Sequence, residues 1–260
     1  MHVNNGLGWI FNTQPTLYEK MRPGYVQELY DDIFRLIPIG PDSRAVEIGI
    51  GSGQATTPIL DTGCTLTAIE SGDHFSELCR QKFSHYPRFS VITSKFEECP
   101  WEPGTCDLIF AATAFHWVPE EIGYPKVYDM LKSGGVFARF ANHPYKDKSR
   151  EALHQDIQKI YAVYMPGSKL SNEFSEEQAK SIAEIAGKYG FINNSWRLYK
   201  RTRTFSAQEY IQLLGTYSNH IAIEEHTRNR FFSEIETAIN DHGSEITLYD
   251  TIDLELSQKP

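Results

Sequence analysis

No apolar run in this chain approaches the about 20 residues that a membrane span requires. The start, Met1 to Leu7, has neither a basic stretch nor an apolar core, so it does not read as a signal peptide. Cysteine is scarce. Cys64, Cys79, Cys99 and Cys106 form no CxxC pair, and none has histidines at zinc-finger spacing. Apart from His116, the histidines are dispersed as His2, His74, His85, His143, His154, His220, His226 and His242, which argues against a metal site. Positive charge is also short. The net charge of −9 argues against a general nucleic-acid binder, because phosphate binding needs a basic surface. One basic stretch, Arg197, Lys200, Arg201 and Arg203, reads as a solvated strand face. There is no repeat and no low-complexity segment. The cytoplasm is the expected compartment, and the oligomeric state is not legible.

What is present is an ordinary globular composition, 40% apolar, in a chain of 260 residues. In the first half, short β-rich runs alternate with helical runs. Strands are expected at Arg44–Ile50, Thr65–Glu70, Phe89–Thr93, Asp107–Ala112 and Val136–Ala141. Three of these are nearly continuous apolar runs, as strands covered on both faces require. Helices are expected near Gln54–Leu60, Asp73–Ser84 and Glu121–Leu131. The alternation implies βαβ units and a parallel sheet.

The second half reads differently. Helices are expected over Lys148–Tyr164, over Ser175–Tyr189 with a Ser175/Gln178 capping box, from Ser206 through Leu214 with a Ser206/Glu209 box, and over Glu224–Asn240. Strands are expected at Trp196–Phe205 and Ile246–Leu256. Ile157, Tyr161 and Tyr164 lie on one helical face, as core or as a roof over a site.

The most informative feature is Glu47-Ile48-Gly49-Ile50-Gly51-Ser52-Gly53, between a strand and a helix. Glycines there permit tight turning and close approach of a ligand to the backbone. A dinucleotide fingerprint needs a further Gly or Ala at a fixed offset, but those positions hold Gln54 and Thr56. Glu47 would also repel a pyrophosphate seated on the loop, whereas it suits a cationic ligand. Glu70 ends the second strand, 23 positions on, where an acid can accept hydrogen bonds from ribose hydroxyls.

These residues, with Ala68-Ile69-Glu70, Phe96-Glu97-Glu98-Cys99-Pro100-Trp101, Asp107-Leu108-Ile109-Phe110 and Leu131-Lys132-Ser133-Gly134-Gly135, resemble the class I S-adenosylmethionine-dependent methyltransferases, above all the small-molecule group. The match in order and spacing runs over about Ser43–Asn142. The resemblance implies an α/β, Rossmann-like doubly wound sheet of seven strands in the order 3-2-1-4-5-7-6, with the last strand antiparallel. It implies a single domain: an amino-terminal helical cap over 1–42, the cofactor core over 43–142, a helical lid insertion over 143–192 and closing elements over 193–260. S-adenosyl-L-methionine is the implied cofactor and a small molecule the implied partner, with neither nucleic acid nor membrane.

The resemblance also distributes roles. Glu47, Gly49, Gly51 and Gly53 would hold the methionine end, Glu70 and Ser71 the ribose, and Lys95, Phe96 and Glu97 the adenine. Members often have Asp where Lys95 stands, and Lys95 cannot accept from the adenine amino group. Ala111 and Ala112 would line the cofactor. Tyr18-x-x-x-Arg22-Pro23-x-Tyr25 resembles a segment that folds over the cofactor in one subgroup; otherwise Pro23 starts a helix and Arg22 is a surface charge. His116 follows the fourth strand, as a base, a substrate-orienting group or a helix start. Trp117 reads as packing or substrate contact. Tyr217 and Ser218 resemble a substrate-facing stretch in methyltransferases of small carboxylic acids. The competing readings are an NAD-dependent oxidoreductase, a non-catalytic S-adenosylmethionine-binding protein and an RNA methyltransferase.

Overall fold

The structure, a computed structural model, describes residues 15–145, 150–168 and 172–260. Met1–Leu7, His2 and the first residues of the helix expected from Lys148 lie outside the described residues. The strands are β1 (Arg44–Ile48), β2 (Thr65–Glu70), β3 (Phe89–Thr93), β4 (Cys106–Ala112), β5 (Leu131–Tyr145), β6 (Ile192–Ser206) and β7 (Glu245–Gln258). The helices are α1 (Pro15–Met21), α2 (Gln27–Leu36), α3 (Thr56–Leu60), α4 (Asp73–Lys82), α5 (Glu120–Met130), α6 (Glu151–Tyr164), α7 (Glu176–Gly187), α8 (Ala207–Leu214), α9 (Ser218–Ile221) and α10 (Glu225–Asp241).

One seven-stranded sheet runs in the order β3-β2-β1-β4-β5-β7-β6, the order the resemblance implied. β1, β2, β3, β4 and β5 pair in parallel. The last strands are antiparallel. Gly134 donates to Lys259 O and Lys259 to Gly135 O, both at 2.9 Å, so β5 starts where β7 ends. The central strands β1 and β4 are buried on both faces because helices cover both, whereas β3, expected to be covered likewise, is an edge strand and largely exposed. Leu66, Leu108 and Phe110 enter one core with Ile59 and Leu29. Val46, Ile48, Ile109 and Ala111 enter the other with Phe115 and Val127.

Both capping boxes form: Ser175 accepts from Gln178 N–H at 3.3 Å, and Ser206 from Glu209 N–H at 3.3 Å. The alternative reading of the Tyr18–Tyr25 segment does not hold in either part. Pro23 starts no helix, because the chain stays extended to Val26 and α2 begins at Gln27. Arg22 is half-buried rather than a surface charge.

The chain forms two compact units. Unit 1 takes the described residues up to Arg22, 143–174 and 200–251; unit 2 takes 23–142, 175–199 and 252–260. The stretch 143–192 is therefore shared between the units, α6 in the first and α7 in the second. Among the described residues no helix is long and apolar enough to cross a membrane.

Candidate cofactor and acceptor site

β1 delivers the chain into the glycine loop at the carboxyl edge of the sheet. Gly49, Gly51 and Gly53 have φ of 69°, 54° and 78°, a backbone region that residues with a Cβ rarely adopt. A Cβ at Gly49 would stand 2.6 Å from Ala114 Cβ, and one at Gly53 2.5 Å from the Phe83 ring. The first glycine thus brings the loop against the segment after β4. The loop is tied down from below: Gly49 N–H donates to Ile69 O at 2.8 Å, Gly51 N–H to Glu70 Oε2 at 3.0 Å and Lys82 Nζ to Ser52 O at 2.8 Å.

Glu70 is 7% exposed. Its other oxygen, Oε1, accepts from Gly72 N–H at 2.7 Å and lies 3.5 Å from the Ser71 hydroxyl. Burial raises its pKa, and the backbone donors oppose that. A carboxylate has about four acceptor positions, so capacity for a ribose hydroxyl remains. Glu47 is 1% exposed and accepts the Thr56 hydroxyl at 2.8 Å through Oε2. Its Oε1 is buried without a hydrogen-bond partner among the described residues. Burial is the main cause that pushes its pKa up to about 8, with Thr56 opposing and Glu70 adding to it. Burial keeps this carboxyl protonated near pH 7, and a cation beside it would favour the ionised form, so the orphaned oxygen fits a cofactor with an ammonium group and a sulfonium.

The turn at 95–99 stands beside β3. Phe96 is buried, Glu97 half-buried, and Lys95 exposed with its ammonium 3.2 Å from Glu98. Sequence reading missed what holds this turn. Lys126, on α5, donates to Phe96 O at 2.5 Å, to Glu97 O at 3.2 Å and to Cys99 O. Burial lowers its pKa. No local signal marks a lysine about 30 positions from the carbonyls it binds.

At the end of β4, Ala111 is buried and Ala112 half-buried. Phe115–Trp117 form a 3-10 turn rather than a helix. Phe115 points inward, edge-on to Tyr124 at 5.1 Å, which leaves His116 and Trp117 exposed, their rings 5.0 Å apart. Trp117, at 38% exposure, is therefore not core packing.

Tyr18, Arg22, Tyr217 and Ser218 belong to unit 1. The Arg22 guanidinium lies 4.9 Å from the Tyr18 ring centroid and 4.2 Å from that of Tyr217, and donates to Thr216 O at 3.0 Å. Ser218 opens α9 directly after Tyr217. Beside them the Tyr161 hydroxyl meets His220 Nε2 at 2.7 Å. Burial and the Arg22 charge lower the His220 pKa to about 4, so the ring is neutral near pH 7. Ile157 is fully buried, and Tyr161 and Tyr164 pack on Phe231, so this helical face is core of unit 1.

Residues 46–139 match the methyltransferase domain family. An uncharacterized methyltransferase of Mycobacterium tuberculosis is 27% identical over 125 residues, 48% of this chain and 49% of that protein. The chain thus spans about half the length of that relative. Trans-aconitate 2-methyltransferase of Rhizobium rhizogenes is 29% identical over 111 residues, 41% of each chain. Among solved structures, phosphoethanolamine N-methyltransferase 2 of Haemonchus contortus, in complex with phosphomonomethylethanolamine and S-adenosylhomocysteine, superposes with a TM-score of 0.55. It is 15% identical, with 96% of this chain and 57% of that one covered, a likeness of fold alone. With the strand order and the glycine loop, the match over residues 46–139 supports a class I S-adenosylmethionine-dependent methyltransferase domain in that stretch.

Proposed function

We propose that the chain transfers a methyl group from S-adenosylmethionine to an oxygen, carboxylate or hydroxyl, of a small molecule. The observation that carries the reading is the glycine loop held by Glu70 above the buried Glu47 carboxyl. When bound, S-adenosylmethionine supplies a methyl group already activated on a positive sulfur. The protein then has to align the acceptor and exclude water. In this reading Glu70 and Ser71 hold the ribose, Gly49, Gly51 and Gly53 approach the methionine end over Glu47, and Phe96, Glu97 and Lys95 flank the adenine. Ala111 and Ala112 keep the end of β4 small enough for close approach. Tyr18 and Arg22 are assigned to the cofactor, and Tyr217 and Ser218 to the acceptor, on their sequence pattern. The relation to a trans-aconitate 2-methyltransferase supports a carboxylate acceptor. The failed dinucleotide spacing at Gln54 and Thr56 disfavours an NAD-dependent oxidoreductase.

A base is needed only if the acceptor must lose a proton. His116, exposed after β4, is assigned that task or the orientation of a carboxylate. A tritiated-methyl screen over carboxylic acids, phenols and amines tests the acceptor class, and His116→Ala separates the two tasks. Loss of a base should lower kcat by about 10²-fold. Loss of an orienting group should mainly raise KM. Wild-type kinetics in a folded variant would remove His116 from the site, and methylation confined to amines would refute oxygen as acceptor.

A further inference from the structure

Thr113 is a β-branched residue with a φ of 54°, in the left-handed region such residues avoid. A conformation of this kind persists only where its surroundings over-determine it. Here three hydrogen bonds do so. Thr113 N–H donates to Phe140 O at 2.7 Å, Asn142 N–H donates to Thr113 Oγ1 at 3.3 Å, and the Tyr25 hydroxyl meets the same Oγ1 at 2.7 Å. Tyr25 is itself fixed, its ring edge-on to Phe140 with centroids 4.7 Å apart. The chain next to it runs along the glycine loop: a Cβ at Gly24 would lie 3.4 Å from Gln54 O, and Tyr30 donates to Ala55 O at 3.3 Å. On the other side Thr113 is followed by Ala114, the residue against which Gly49 closes. Thr113 thus stands at the carboxyl end of β4 beside the loop, and it is exposed.

A hydroxyl offers one donor and two acceptor positions. Asn142 takes one acceptor position, and Tyr25 takes either the donor or the second acceptor. With Tyr25 and Asn142 both donating, the Thr113 O–H is left to donate to a carboxylate or hydroxyl oxygen; in the opposite polarity the open acceptor position takes a hydroxyl alone. We propose that the Thr113 hydroxyl orients the methyl acceptor through an oxygen of that acceptor, and that Tyr25 is the positioning residue that aims the hydroxyl. The proposal rests on the methyl-transfer reading above and adds to it the group that selects a carboxylate or hydroxyl acceptor.

The test uses calorimetry on the full chain saturated with S-adenosylhomocysteine, with trans-aconitate and 4-hydroxybenzoate as probes. Thr113→Val keeps the side-chain shape and removes the hydroxyl. It should weaken probe binding by about tenfold or more, as loss of a hydrogen bond to a charged group does. S-adenosylhomocysteine affinity should stay within about twofold of wild type. Thr113→Gly, which takes a positive φ without strain, should show the same loss while melting no lower than wild type. Tyr25→Phe should weaken the probes by a smaller factor, and Thr113→Ser should retain binding. Unchanged probe binding in either Thr113→Val or Thr113→Gly would overturn the proposal. So would a loaded wild-type protein that binds neither probe. Failure of the wild type to bind S-adenosylhomocysteine at all is a separate outcome, and refutes the methyl-transfer reading instead.

Discussion

Glu47 shows how much one buried carboxyl can govern. It is nearly inaccessible, has one oxygen without a partner among the described residues, and has its pKa raised by burial to about 8. The native state therefore keeps a proton that the unfolded state releases. That stability is complete below the ordinary value of 4.5 and is lost as pH rises through about 8. Glu47→Gln mimics the protonated form and should hold its stability at high pH. Unfolding free energies from urea titrations at about pH 5 and about pH 9 should differ less in the variant than in wild type, by about 2 kcal/mol or more. Equal slopes in both proteins would place the Glu47 carboxyl in contact with water. The slope should not vanish, because burial also raises Glu70 and Glu255.

At the residue scale, what the sequence reveals depends on how local the interaction is. The glycine loop and Glu70 are legible because turn geometry and strand ends leave fixed spacings. The proximity of Glu47 to the loop is legible too. Its burial is not, because that depends on Thr56 and on the packing of α3. Tyr25 and Thr113 are 88 positions apart and share no pattern.

At the scale of elements, continuous apolar runs mark β1 and β4, and the Ser175 and Ser206 boxes mark helix starts. The long strands are harder to delimit. β5 was expected at 136–141 but spans Leu131–Tyr145. Lys132-Ser133-Gly134-Gly135 lies outside the expected strand, yet pairing with the chain just past β7 draws it into the sheet. β6 likewise begins at Ile192, ahead of the expected Trp196, where Asn193 reaches Gln258 at 2.9 Å. In both cases a partner strand distant in sequence overrides weak local preference.

The tie between α5 and the turn at 95–99 belongs to the same scale. Lys126→Met would leave carbonyls of Phe96, Glu97 and Cys99 without their charged donor. Such hydrogen bonds contribute about 1.5–3 kcal/mol, so the turn should open more often while β1 and β4 stay protected. Amide exchange should speed up across 96–99, and S-adenosylhomocysteine affinity should fall. Unchanged exchange there would mean that Phe96 packing alone fixes the turn.

At the scale of the whole molecule, the family match over 46–139 lies inside unit 2, with the glycine loop, Glu70 and the segment after β4. Unit 1 lies outside it and is built from three separate stretches around Phe231, Ile235 and Leu213. Its sequence carries helical and capping patterns, but no spacing that ties one stretch to another. The aromatic cluster around Arg22 therefore emerges only in the folded chain. The central claim concerns unit 2, and calorimetric titration of the full chain with S-adenosylhomocysteine and with NAD tests it most directly. Wild type should bind S-adenosylhomocysteine and not NAD, and Glu70→Ala should weaken that binding about tenfold or more through loss of a charged acceptor. Tight NAD binding with no heat from S-adenosylhomocysteine would contradict the account.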